Sequence, residues 1–206
     1  MTETSRPVRF PRSFIVIEGP NGTGKTTVAS ALAGRLRAHQ RNLVQETREP
    51  SDTALGRAVR QLEASMPPMA LALACAADRI DHLAREIEPS LARAAIVVCD
   101  RFLPSSLVLQ RLDGLSLKEI WQINAGVRSP DLTVYLEAAP ETLRERLGRR
   151  PRRSRFEEST ATEVELDLYR EAREFLARHG WPHLLISTEG READDVAAEI
   201  ERRLRD

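Results

Sequence analysis

Gly19-Pro20-Asn21-Gly22-Thr23-Gly24-Lys25-Thr26 fits the pattern G-x-x-x-x-G-K-[ST], and its flanks decide the fold. Before it runs the apolar stretch Phe14–Glu18, which reads as a strand; after it, residues 25–38 read as a helix. In a strand–loop–helix unit of this kind, glycines let backbone N–H groups curl around phosphate oxygens, and the helix presents its positive end to them. Lys25 then reaches the β/γ-phosphates of a nucleoside triphosphate such as ATP, and Thr26 offers a hydroxyl to Mg²⁺. Gly19, Asn21, Gly22, Thr23, Gly24 and Thr27 complete the expected cradle.

Four further short runs repeat the strand signal: Leu43–Glu46, Ala95–Cys99, Leu132–Leu136 and Leu184–Ser187. Most are nearly unbroken Val, Ile and Leu, as in strands covered on both faces of a parallel sheet. Helical readings at 53–64, 69–87, 116–127, 140–148, 162–179 and 193–205 lie between them. Strands joined by crossover helices give a three-layer, doubly wound α/β fold around a parallel five-stranded sheet. Residues 1–13 read as a flexible arm and 14–206 as a single domain, with an exposed, arginine-rich lid at about 148–158.

Composition narrows the function. In 206 residues, 41% hydrophobic and 30% charged, the chain has enough apolar mass for a core. Basic and acidic residues both number 31, so general nucleic-acid binding, which needs a basic excess, is not expected. Only Lys25 and Lys118 among the basic residues are lysines. Cys75 and Cys99 lack metal-ligand spacing or a disulfide framework, and no run has the length of a membrane span. A reducing cytoplasm is the expected location.

A phosphate loop alone serves ATPases, GTPases, kinases and inert regulators. No T/NKxD segment specifies guanine. Thr47-Arg48-Glu49-Pro50 and Asp100-Arg101-Phe102 follow the second and third strands, so both arginines reach the sheet edge that carries the loop. Two guanidinium forks there suit an acceptor phosphate held in line with the donor. Ala77-Asp78-Arg79 lies in a long helix.

These pieces, in this order, resemble the bacterial thymidylate kinases. The likeness runs from Phe14 to about Val196 and includes Leu55-Gly56, Ala76–Arg79, Ser105–Leu107, Pro130–Leu136 and Arg155-Phe156-Glu157. It implies a nucleoside monophosphate kinase that moves the ATP γ-phosphate to the 5′-phosphate of dTMP, and a homodimer formed through the helices around 53–64 and 69–87. By the resemblance, Lys25 serves the donor phosphates, Arg48 and Arg101 hold the acceptor phosphate, and Arg79 faces the base. Asp100 helps Thr26 with Mg²⁺. Ser105, Ser106 and Glu157 belong to the acceptor side, and Arg146 or Arg150 to the adenine. With Gly22 bare, the transferring group must be met from the lid, by Arg150, Arg153 and Arg155.

Three departures from the family pattern fall in the acceptor pocket, and a fourth, Ser154 for the lid's usual aspartate before Arg155, lies outside it. Asn21 stands where an acid usually engages the sugar, Cys75 where a phenylalanine stacks on thymine, and Leu109 where a tyrosine crowds the sugar's 2′ side. Intact phosphate machinery beside an altered pocket leaves open a same-fold kinase with another small acceptor. An idle regulator is disfavoured by Lys25, Thr26 and Arg101.

Overall fold

In the computed structural model, residues 12–39, 43–149 and 162–205 are described. Strand β1 (Ser13–Glu18) has Phe14 and Val16 on one face and Ile15 and Ile17 on the other, all buried. Alternate side chains leave a strand on opposite faces, so a strand apolar at both must be sandwiched. β1 therefore takes the centre of the sheet. It pairs in parallel with β3 (Ile96–Asp100) and β4 (Leu132–Glu137), with Ile15 between Val98 and Leu132. β2 (Val44–Arg48) and β5 (His183–Ser187) form the edges, giving the parallel order β2-β3-β1-β4-β5.

One core layer joins Ile15, Ile17, Ile96 and Val98 to α1 (Lys25–His39) and to Val196 and Ile200 of the final helix, Ala193–Arg203. The opposite layer joins Phe14, Val16 and Val97 to Phe102, Leu107 and Trp181. Its helices are α4 (Glu88–Ala92), α5 (Leu103–Leu112), α6 (Leu117–Ile123) and the helix Thr162–Arg178, while α2 (Ala54–Leu62) and α3 (Pro68–His82) precede α4 in the chain. Beyond β4 come α7 (Pro140–Gly148), α8 (Thr162–Arg178) and then α9, the final helix. The three-layer, doubly wound expectation holds.

Three elements differ from the sequence reading. α5 is a full helix where none is expected: Pro104 sits in its first turn, where a missing N–H costs nothing. The helix expected over 69–87 continues to Ala92 through a π turn at Leu83–Ile87, which keeps both of those residues buried ahead of Pro89. The helix expected over 116–127 is shorter; its start at Ser116 is fixed by a capping box with Glu119. The N-terminal arm to residue 11 and most of the lid lie outside the described residues. Among the described residues no helix is long and apolar enough to cross a membrane.

Candidate active site

The phosphate loop leaves β1 at Gly19, whose φ of +138° and close approach to β4 exclude a side chain: a Cβ there would lie 2.3 Å from Leu136 O. Gly22 and Gly24 also have positive φ. Thr23 Oγ1 closes the turn by donating to Pro20 O at 2.8 Å. Lys25 is buried, and its Nζ donates to Gly19 O at 2.7 Å and Pro20 O at 2.8 Å. Burial pulls its ammonium down to about 7, with Arg101 adding repulsion. Thr26 Oγ1 donates to Asp100 Oδ2 at 2.5 Å, and the buried Asp100 Oδ1 meets no hydrogen-bond partner among the described residues. A hydroxyl beside a half-satisfied carboxylate at the loop's mouth fits Mg²⁺, which takes one or two protein oxygens alongside phosphate and water.

Glu18, the last residue of β1, is fully buried. Its carboxylate accepts from Phe102 N (2.7 Å), Ser105 N (3.1 Å), Ser105 Oγ (2.9 Å) and Tyr169 OH (3.3 Å). An acid from β1 thus caps α5, which aligns the helix under the loop. Burial pushes Glu18 above the usual carboxylate range, against the pull of Arg101 and these donors. Arg101 has φ +70°, and its N–H still reaches Ile17 O at 3.0 Å. This backbone turns its side chain back over the loop: Nη2 donates to Asn21 Oδ1 at 2.6 Å and Nη1 to Ser105 Oγ at 3.1 Å.

Beside Arg101 opens a cavity of about 290 Å³, whose wall includes Arg48, Cys75, Arg79, Ser106, Leu109 and Gln110. All three departures, Asn21, Cys75 and Leu109, line this one space. Arg48 is half exposed and turned onto Asp52 Oδ1 at 2.8 Å. Arg79 is the opposite case. It is buried, with Nε on Glu49 at 2.8 Å, Nη2 on Ser106 Oγ at 2.8 Å, Nη1 on Asn124 Oδ1, and its plane over the Phe102 ring. Burial pushes the Cys75 thiol up to about 11, so it lines the wall as a neutral group. Gln110 donates weakly to its sulfur at 3.8 Å, and Gln110 Oε1 is buried with no hydrogen-bond partner among the described residues.

On the donor side, Arg146 hydrogen-bonds Thr188 O at 2.8 Å and reaches Gly22 O at 3.4 Å, which seats it against the loop. Arg150, Arg153, Arg155 and Glu157 lie outside the described residues. Sequence reading missed Glu18, Gln110, Glu165 and Tyr169. An acid ending an otherwise apolar strand directly before the loop is a signal that marks Glu18 in retrospect. Glu165 and Tyr169 carry none, because only tertiary packing brings α8 to the loop.

The family model described as "Thymidylate kinase" matches residues 17–192. Among curated proteins, the chain is 44% identical over 144 residues to a thymidylate kinase of Synechococcus sp. (strain JA-3-3Ab), covering 66% of this chain and 70% of that one. It is 36% identical over 192 residues to a probable thymidylate kinase of Pyrobaculum aerophilum, covering 91% and 94% of the two chains. A thymidylate kinase of Leifsonia xyli subsp. xyli is 35% identical over 209 residues, with 97% and 98% covered.

Proposed function

The chain belongs to the thymidylate kinase family, and from that premise we infer how its site moves the ATP γ-phosphate to the 5′-phosphate of dTMP, giving ADP and dTDP. The observation that carries this reading is the pairing of a phosphate loop with an adjoining arginine-lined cavity, Arg101 standing between them. The family and the named relatives favour dTMP over the other acceptor that Asn21, Cys75 and Leu109 leave open.

Catalysis of this transfer is positioning plus charge neutralisation. Lys25 leaves the loop carbonyls for the β/γ-phosphates, while Arg101 and Arg48 take the acceptor phosphate. Arg48 reaches it by releasing Asp52. Thr26 and Asp100 would hold Mg²⁺, which supplies positive charge to the phosphate oxygens. Gln110 Oε1 accepts the N3–H of thymine, and Arg79 turns its remaining N–H toward a base carbonyl. We assign Arg150, Arg153 and Arg155 to the transferring group, Arg146 or Arg150 to the adenine, and Glu157 to the acceptor.

The reading extends to the assembly. Leu55 and Leu62 on α2, with Met69, Leu73 and Ile80 on α3, are exposed and recur at helical spacing. A second copy of the chain covers this stripe in a homodimer, and the enzyme works in the cytoplasm.

The test is ADP release with purified protein, ATP and Mg²⁺ against dTMP, dUMP, UMP, dCMP, CMP, dGMP and dAMP. The highest kcat/KM is expected for dTMP, and a higher value for any other acceptor overturns the assignment. Gln110→Leu should lower kcat/KM for dTMP by roughly 10-fold or more, as expected when a polar edge of a substrate loses its partner.

A further inference from the structure

Two residues of α8 that phosphoryl transfer does not itself use reach the site from its far side. Glu165 and Tyr169 stand at i and i+4, so both side chains leave the helix on one face, and both are buried. Glu165 Oε1 accepts the Asn21 N–H at 3.0 Å. Asn21 Oδ1 in turn accepts from Arg101 Nη2 at 2.6 Å. Tyr169 OH lies 3.5 Å from Arg101 Nη1, 3.3 Å from Ser105 Oγ and 3.3 Å from Glu18 Oε2. Each terminal nitrogen of the Arg101 guanidinium is therefore met by a group that leads back to the same helix.

Packing alone does not account for this choice of residues. A carboxylate taken out of water is costly unless it is hydrogen-bonded and near opposite charge, and a leucine on that face would cover the loop at no such cost. What Glu165 adds is a directed bond to Asn21, the loop residue that accepts from Arg101, together with negative charge near Lys25 and Arg101.

We propose that Glu165 and Tyr169 are positioning residues for phosphoryl transfer: they fix Asn21 and Arg101 so that the Arg101 fork is aimed before the acceptor arrives. The proposal rests on the assignment of Arg101 to the acceptor phosphate. Arg101 sits on a strained, left-handed backbone at a strand end, so its side chain depends on outside support for its direction. A displacement of about 1 Å in such a group lowers turnover by roughly 100-fold.

The experiment is steady-state kinetics, with thermal unfolding, on Glu165→Leu, Glu165→Gln, Tyr169→Phe and Arg101→Ala, and on each of the first three combined with Arg101→Ala. Glu165→Leu and Tyr169→Phe are expected to lower kcat/KM for dTMP by about 10- to 100-fold while KM for ATP moves by less than about twofold. Glu165→Gln, which keeps an oxygen for the Asn21 N–H, should recover most of the loss. In the Arg101→Ala background the same changes should add little, because the group they aim is gone. If Glu165→Leu does not fold, Tyr169→Phe carries the test, since it removes one oxygen from a packed ring. Helix variants that match wild type while Arg101→Ala is impaired overturn the positioning role and leave the Arg101 assignment standing. Equal losses toward ATP and dTMP with lowered melting temperature also overturn it, as a purely structural effect. An Arg101→Ala enzyme with unchanged dTMP kinetics removes the assignment itself.

Discussion

Lys25 has two sets of oxygens to choose between. Its Nζ is held by the carbonyls of Gly19 and Pro20. Burial, with Arg101 nearby, brings its titration down to about 7. Triphosphate oxygens favour the charged form, so the bound-state value is higher than the free one. Binding then takes up a proton, and affinity for ATP falls as pH rises above about 7. Calorimetric titration at pH 8, in two buffers of different ionisation enthalpy, should show this uptake in wild type and not in Lys25→Ala. The same variant should lose roughly 1000-fold in kcat, the scale of a lost electrostatic donor to the transition state. Gly19→Ala should fail earlier, as its Cβ meets the Leu136 carbonyl; misfolding or loss of ATP binding is the expected readout.

At the scale of elements, the cavity proposed for the acceptor depends on how α2 and α3 seat the turn after β2. Asp78 on α3 accepts from Ser51 N at 2.7 Å and Ser51 Oγ at 2.6 Å, while Gly56 on α2 packs so closely that a Cβ would lie 2.1 Å from Ser51 O. Gly56→Ala must push α2 off this turn, at a cost of about 1–3 kcal/mol. Because Arg48 and Glu49 precede the turn, kcat/KM for dTMP should fall more than that for ATP; kinetics and chemical denaturation check both. The central strands are legible in sequence because burial on two faces leaves unbroken apolar runs. α5 is not: Pro104-Ser105-Ser106 reads as loop, and its N-terminal cap comes from Glu18, 87 residues before Ser105. The π turn is equally silent, since it inserts no residue type of its own.

At the scale of the molecule, one parallel sheet brings the ends of β1, β2 and β3 to a common edge, so the loop, Arg48, Asp100 and Arg101 follow from strand order alone. That part of the site is legible. The remainder comes from contacts between distant segments, such as Glu165 with Asn21 across 144 residues, and local pattern does not encode it. The exposed stripe on α2 and α3 bears on assembly. Replacing Leu73 and Ile80, 49% and 55% exposed, with arginine leaves the core untouched and should convert the proposed dimer to monomer in analytical ultracentrifugation. Wild-type protein that sediments as a monomer at micromolar concentration rejects the dimer.

Arg79 is already anchored to Glu49, Asn124 and Ser106, above Phe102. Folding has thereby settled, once and for all acceptors, where one guanidinium stands. This confines the evolutionary freedom of the site. Cys75, which takes only a weak bond from Gln110, and Leu109 stand outside this mesh and are open to change one at a time. A lineage shifting Arg79 toward a different base would need three partners to change together, each intermediate leaving a buried charge or amide unmatched. Single-site libraries at Cys75 and Leu109 are therefore the accessible route to new acceptors, with Arg79 as the fixed point against which they are read.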